Sequence, residues 1–198
     1  MFGNYFVVAL RGLKRARLYA VLNVAGLGTG MAACLLILLF VQHERTYDRF
    51  HTKADRIYRV MLADAFGGEE SLSPSLPEAV VPAMAAALPE VEAGVRVDPA
   101  GYEQLVSGGG KQFYETGFLR AGPAFFDVFT AEPVRGDLKT ALARPGSVVI
   151  TTTVARKYFG DADPLGQTIT VSNVWGGSKD YAVTAVVAPV PSNTHLPY

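Results

Sequence analysis

Few residues in this chain are of a type and spacing that could do chemistry, and each group has a simpler reading. Three histidines are present, His43, His51 and His195. None falls in a His-Glu-x-x-His run or a Cys/His cluster of zinc-ligand spacing. Gly110-Lys111 would suit a phosphate-cradling loop, but Gln112 stands where Ser or Thr would bind magnesium, and no helix pattern follows. That stretch reads as a hairpin tip. Gly26, Gly28 and Gly30 miss the dinucleotide fingerprint by one residue, and no strand precedes them. No Gly-x-Ser-x-Gly elbow occurs, and the acidic pairs Glu69-Glu70 and Glu90/Glu92 read as solvated surface. The residues therefore indicate no catalytic group, no metal site and no cofactor. They favour a binding, structural or force-transmitting role.

The elements that would carry such a role are clearer. From Leu18 to Val41 the chain holds no charged residue and no histidine. A bilayer core of about 30 Å needs roughly 20 apolar residues at 1.5 Å each, so this run predicts a membrane-spanning helix over 18–42. Four of the 18 Lys and Arg (Arg11, Lys14, Arg15, Arg17) precede it, while the first acidic residue is Glu44. Residues 44–198 hold the other 14 cations and all 18 anions. Basic residues gather on the cytoplasmic flank of a span, which puts the N-terminus inside and residues 44–198 outside. The apolar core is too long for a cleaved signal peptide. Cys34, the sole cysteine, is followed by Leu-Leu-Ile-Leu-Leu-Phe, unlike a lipidation site. A buried core helix without one charge over this length would be rare in so small a domain.

Before the span, Phe2, Phe6, Ala9, Leu10 and Leu13 share a face opposite the basic residues. Residues 1–17 thus suit an amphipathic helix lying in the inner interface against lipid. Within the span, Gly26-x-x-x-Gly30 has the small-residue spacing that lets helices approach closely, making Gly26 and Gly30 the helix-packing candidates. The outer part is acidic and has no basic stripe for nucleic acid.

After the span, helical spacing continues from Gln42 to Arg59. Strands are expected at 59–65, 91–97, 147–151, 166–171 and 180–187. A hairpin is expected from 101–106 and 113–120 around Gly108-Gly109-Gly110, and turns at Gly67-Gly68, Gly136-Asp137 and Gly176-Gly177. Helices are expected at 77–88, bounded by Pro89, and at 152–159, with a threonine cap and Gly160 as the stop. A helical turn should fill 139–143, after an aromatic stretch from Pro123 to Phe129. Short strands mixed with short helices imply an α+β domain.

In order along the chain stand Asn4-Tyr5-Phe6, Ala9-Leu10-Arg11, Asn23-Val24-Ala25-Gly26-Leu27-Gly28, Tyr47-Asp48-Arg49-Phe50-His51 and Ala54 to Val60. Phe125 to Phe129, Gly136-Asp137, Ala155 to Gly160, Asp163 to Gly166 and Pro191 to Leu196 follow. This ordered set resembles the N-terminal part of MacB/FtsX-like permeases of ABC transporters. The resemblance implies a periplasmic core domain over 43–198, inserted after the first of four helices and incomplete at Tyr198. It also implies a bacterial inner-membrane protein. Its partners would be a cytoplasmic ATPase subunit, a second permease copy and, in export systems, a periplasmic adaptor protein. Such a chain would pass ATP-driven motion to a periplasmic domain for export or mechanotransmission. The alternative is a single-span tether whose outer domain acts as a sensor or interaction module. A membrane-anchored enzyme is the least supported reading.

Overall fold

The computed structural model describes Tyr5, Val7, Val8, Arg11, Gly12 and residues 15–64, 71–172 and 177–196. Phe2, Phe6, Ala9, Leu10, Leu13, Lys14, Gly67 to Glu70 and Gly176 lie outside the described residues. Two compact units divide between Tyr47 and Asp48.

The first unit is dominated by helix α1, Arg17–Arg45. Its 29 residues reach about 44 Å at 1.5 Å per residue, longer than a bilayer's hydrocarbon core. None of its residues is buried, as an apolar helix requires if lipid or other helices are to cover it. The expected continuation to Arg59 does not occur. Thr46 ends α1, its N–H and Oγ1 both bonding to the His43 carbonyl at 3.0 and 2.7 Å. Asp48 then takes φ 55°, a left-handed conformation that no helix accommodates. Only a 3₁₀ turn, Ala54–Arg56, remains of the helix expected there.

In the second unit, ten strands among the described residues form three sheets. β1 (Leu62–Asp64) and β2 (Ser71–Ser73) pair alone, as do β3 (Val97–Pro99) and β6 (Leu119–Ala121). The main sheet runs β5 (Lys111–Glu115), β4 (Gln104–Gly108), β9 (Thr168–Ser172), β10 (Ser178–Val187). β10 is its axis. β9 pairs with its first half and β7 (Pro133–Gly136) with its last residues. β8 (Ser147–Thr151) runs parallel along its other side.

β8 and helix α5 (Thr152–Phe159) fall where the sequence puts them. Thr151 caps α5 by accepting the Val154 N–H at 3.3 Å, and Gly160 stops it. The β4–β5 hairpin closes through Gly109 and Gly110 at φ 55° and 73°, a pair of positive angles that matches the twist of the strands. The hairpin's second arm is shorter than expected. Gly117, at φ 82°, turns the chain away, and residues 119–121 pair with β3 instead. The strand expected over 91–97 forms only from Val97. Val91 N–H turns back to Leu88 O; among the described residues the pairing reaches no further than Arg96, whose carbonyl accepts the Gly122 N–H at 3.0 Å. Residues 133–136 join the sheet although the sequence marks only a turn there. Helices α2 (Val80–Ala87), α3 (Phe125–Val128) and α4 (Leu138–Ala141) complete the unit.

The core lies where α5 covers the main sheet. Tyr158, 1% exposed, packs with Val106, Ile150, Ile169, Val183 and Val186. Its hydroxyl donates to Glu115 Oε1 at 2.7 Å, which satisfies the one polar atom this ring brings inside. Burial, then the adjacent Glu115 carboxylate, raise the phenol's pKa. Lys157 Nζ meets the same oxygen at 2.5 Å and lies 4.5 Å from the Phe113 ring, so α5 is pinned to β5.

Candidate functional site: a clasp joining residues 48–53 to residues 193–195

The segment just after α1 folds into a strap, residues 48–53, held on two sides. On one side the Asp48 carboxylate accepts from Thr194 Oγ1 at 2.8 Å and from the His195 N–H at 3.1 Å. Its second oxygen lies 2.5 Å from His195 Nδ1. The Asp48 N–H donates to Asn193 O at 3.0 Å. Aspartate is one of the few residues that tolerate the left-handed backbone, and here that backbone turns both its carboxylate and its N–H to residues some 146 positions onward.

On the other side His51, 5% exposed, is enclosed by aromatic rings. Phe50 stacks at 4.0 Å between centroids and Phe129 meets the imidazole edge at 5.3 Å. The Thr130 N–H donates to His51 Nδ1 at 3.0 Å. The imidazole is therefore neutral, with its proton on Nε2, an atom that is buried with no hydrogen-bond partner among the described residues. Thr52 doubles the attachment to Thr130, through its N–H at 2.9 Å and its hydroxyl at 3.1 Å. Lys53 Nζ caps the Asp127 carbonyl at 2.9 Å. Behind them Phe125, 3% exposed, packs on Phe126 and Phe129 at 5.1 and 5.0 Å.

The electrostatics follow from this geometry. Partial burial works to raise the Asp48 pKa. The hydrogen bonds from His195 and Thr194 and the charge of His195 outweigh it, so the carboxyl titrates below its ordinary value of 3.8. Burial depresses the His51 pKa below 6.5, and the nearby Asp48 charge opposes this without reversing it. Neither residue is presented as a nucleophile or as a general base to open solvent. The arrangement can hold two distant chain segments together.

Three motif segments thus meet in space: residues 47–51, 125–129 and 191–196. The sequence gives their order, but nothing in it shows that Asp48 and Thr194 are partners. The left-handed Asp48 could have been suspected only from a polar residue closely following the end of a long helix. Elsewhere the Gly136-Asp137 and Asp163–Gly166 motifs also converge, through an Arg135–Asp163 ion pair at 3.1 Å. Gly26 and Gly30 lie on α1, where a Cβ added at either would meet no atom within 4 Å. Among the described residues, no three His, Cys, Asp or Glu side chains are grouped to hold a metal ion.

Residues 20–197 match the MacB-like periplasmic core domain family. The chain belongs to that family, and with it to the MacB/FtsX-like permeases. No curated protein matches. Among solved structures, one similar fold is a domain named for a permease protein of Porphyromonas gingivalis. It has 23% identity and a TM-score of 0.52, and the match covers 67% of this chain and 55% of that one. The periplasmic region of MacB from Actinobacillus actinomycetemcomitans matches at 20% identity and a TM-score of 0.39, over 51% of this chain and 45% of that one. The chain thus spans about half the length of the structures it matches.

Proposed function

We propose that this chain is the membrane-anchored entry segment of an ABC-type permease, which carries motion from a cytoplasmic ATPase into a periplasmic core domain. The observation that carries the reading is the Asp48 clasp. Asp48 lies three residues beyond the end of α1 and grips Thr194 and His195. A pull on the chain at residue 47 is therefore delivered both to the first residues of the core domain and to Thr194 and His195, rather than to a loose linker. The basic flank before α1 supports a cytoplasmic N-terminus, with residues 44–198 in the periplasm. Residues 1–17 would rest on the inner leaflet. Gly26 and Gly30 would face another permease helix or a second copy of the permease. An adaptor protein would engage the core domain in export systems.

Spin labels at Phe40, on α1, and at Tyr58, 83% exposed on the core domain, test the reading. They would be placed in the permease that contains this chain, with its ATPase, in lipid nanodiscs. Pulsed dipolar spectroscopy should show a shift in the label distance when nucleotide is added, and Asp48→Ala should broaden or abolish the shift. A distance indifferent to nucleotide would refute force transmission. Topology has its own check. In a Cys34→Ser background, Tyr58→Cys should react with an impermeant maleimide in intact cells; labelling only after lysis of the inner membrane would reverse the orientation.

A further inference from the structure

A cavity of about 730 Å³, within the range of small-molecule sites, lies between the main sheet, Val154 and Tyr158 of α5, and the segments 116–126 and 142–147. Its apolar lining comes from alternate residues of the two strands that flank β10: Val148 and Ile150 of β8, Ile169 and Val171 of β9. Phe118 and Phe126 contribute aromatic surface. The charges at its edge are unbalanced. Glu115 is committed to Lys157 and Tyr158, and Arg120 to Asp98. Arg144 has no ion-pair partner among the described residues. Lys179, two residues from Tyr181 on β10, lies 5.5 Å from that ring and meets no carboxylate among the described residues. An apolar cavity with two unneutralised cations is complementary to one kind of small molecule.

We propose that this cavity binds a small amphiphile, with its apolar body against β8 and β9 and an anionic group toward Arg144 and Lys179. The site borders the clasp through Phe125 and Phe126 but does not depend on the transport reading. An acyl-chain anion and a soluble aromatic anion share this chemistry.

The test uses the full chain in nanodiscs of zwitterionic lipid, with empty discs subtracted, and two dyes. 1-Anilinonaphthalene-8-sulfonate carries the anion, and N-phenyl-1-naphthylamine has the same rings without it. The sulfonate should bind saturably at one site. Arg144→Ala with Lys179→Ala should weaken it by roughly tenfold, since each screened surface charge contributes a few-fold, and should leave the neutral dye unchanged. Laurate should displace the sulfonate if acyl anions are accepted. Failure of laurate, with the other results intact, would leave a site for aromatic anions. Ala143→Trp, which adds bulk at the lining, should reduce binding of both dyes. Circular dichroism would confirm that each variant is folded. The proposal is overturned if the chain shows no saturable binding above empty discs, if the charge variant binds the sulfonate as the native chain does, or if Ala143→Trp changes neither dye.

Discussion

Replacing Asp48 with alanine probes the clasp most directly, and its cost can be worked from the contacts. The substitution removes the acceptors of the Thr194 hydroxyl and the His195 N–H, each worth about 1 kcal/mol net. The pairing with the His195 ring adds little, because that side chain is 73% exposed and exposed pairs contribute about 0–1 kcal/mol. Alanine at φ 55° adds strain of about 1 kcal/mol, since it lacks the short polar side chain that eases the left-handed region. The expected loss is about 3 kcal/mol. In a unit of this size that lowers the melting temperature by roughly 6–12 °C. Asp48→Asn keeps an acceptor and tolerates the backbone, so it should cost about 1 kcal/mol, or about 3 °C. The assay is thermal unfolding of the full chain in nanodiscs, followed by near-ultraviolet circular dichroism. The native Asp48 titrates below 3.8, so as pH falls the unfolded chain takes up that proton first. Its share of stability is complete above pH 3.8 and is lost as pH falls through the native value. The gap between native and Asp48→Ala proteins should narrow in that window. An Asp48→Ala melting within about 1 °C of native, or an Asp48→Asn as damaging as the alanine, would refute the reasoning.

Other outcomes follow from the same geometry. Because burial holds His51 below 6.5, the unfolded chain binds its proton first and the native fold should weaken as pH drops below about 6.5. Denaturant titrations at pH 7.5 and 5.5 should show this slope reduced in His51→Gln; an unchanged slope would place its origin elsewhere. Gly109→Ala would set a Cβ 2.4 Å from the Tyr158 carbonyl oxygen at positive φ, so a loss of about 2 kcal/mol or more is expected. Gly110→Ala meets open space and should cost only about 1 kcal/mol for its backbone angle; equal midpoints in urea would contradict the close approach. Replacing both Gly26 and Gly30 with Leu should reduce cross-linking of α1 to other permease helices in membranes while leaving the fold of the core domain intact. Unchanged cross-linking would dismiss that face as an interface.

The sequence settled the features that depend on local composition. An uncharged apolar run of that length can satisfy its backbone in lipid only as a helix, and α1 forms there. The cap at Thr151, the stop at Gly160 and the Gly109-Gly110 turn are set by residue chemistry within a few positions, and so β8, α5 and the hairpin tip were legible. The ordered motifs pointed to the family. Tertiary structure decided what depends on a distant partner. Residues 91–95 alternate like a strand, but among the described residues no strand pairs with them. Residues 133–136 look like a turn but gain a partner in β10. α1 does not run on past Arg45 because Thr46 bonds back to His43 and Asp48, committed to Thr194 and His195, takes a left-handed backbone. Pairings across more than a hundred residues leave no periodic trace in either segment, since each side chain's local pattern is compatible with many partners; only the folded chain selects one.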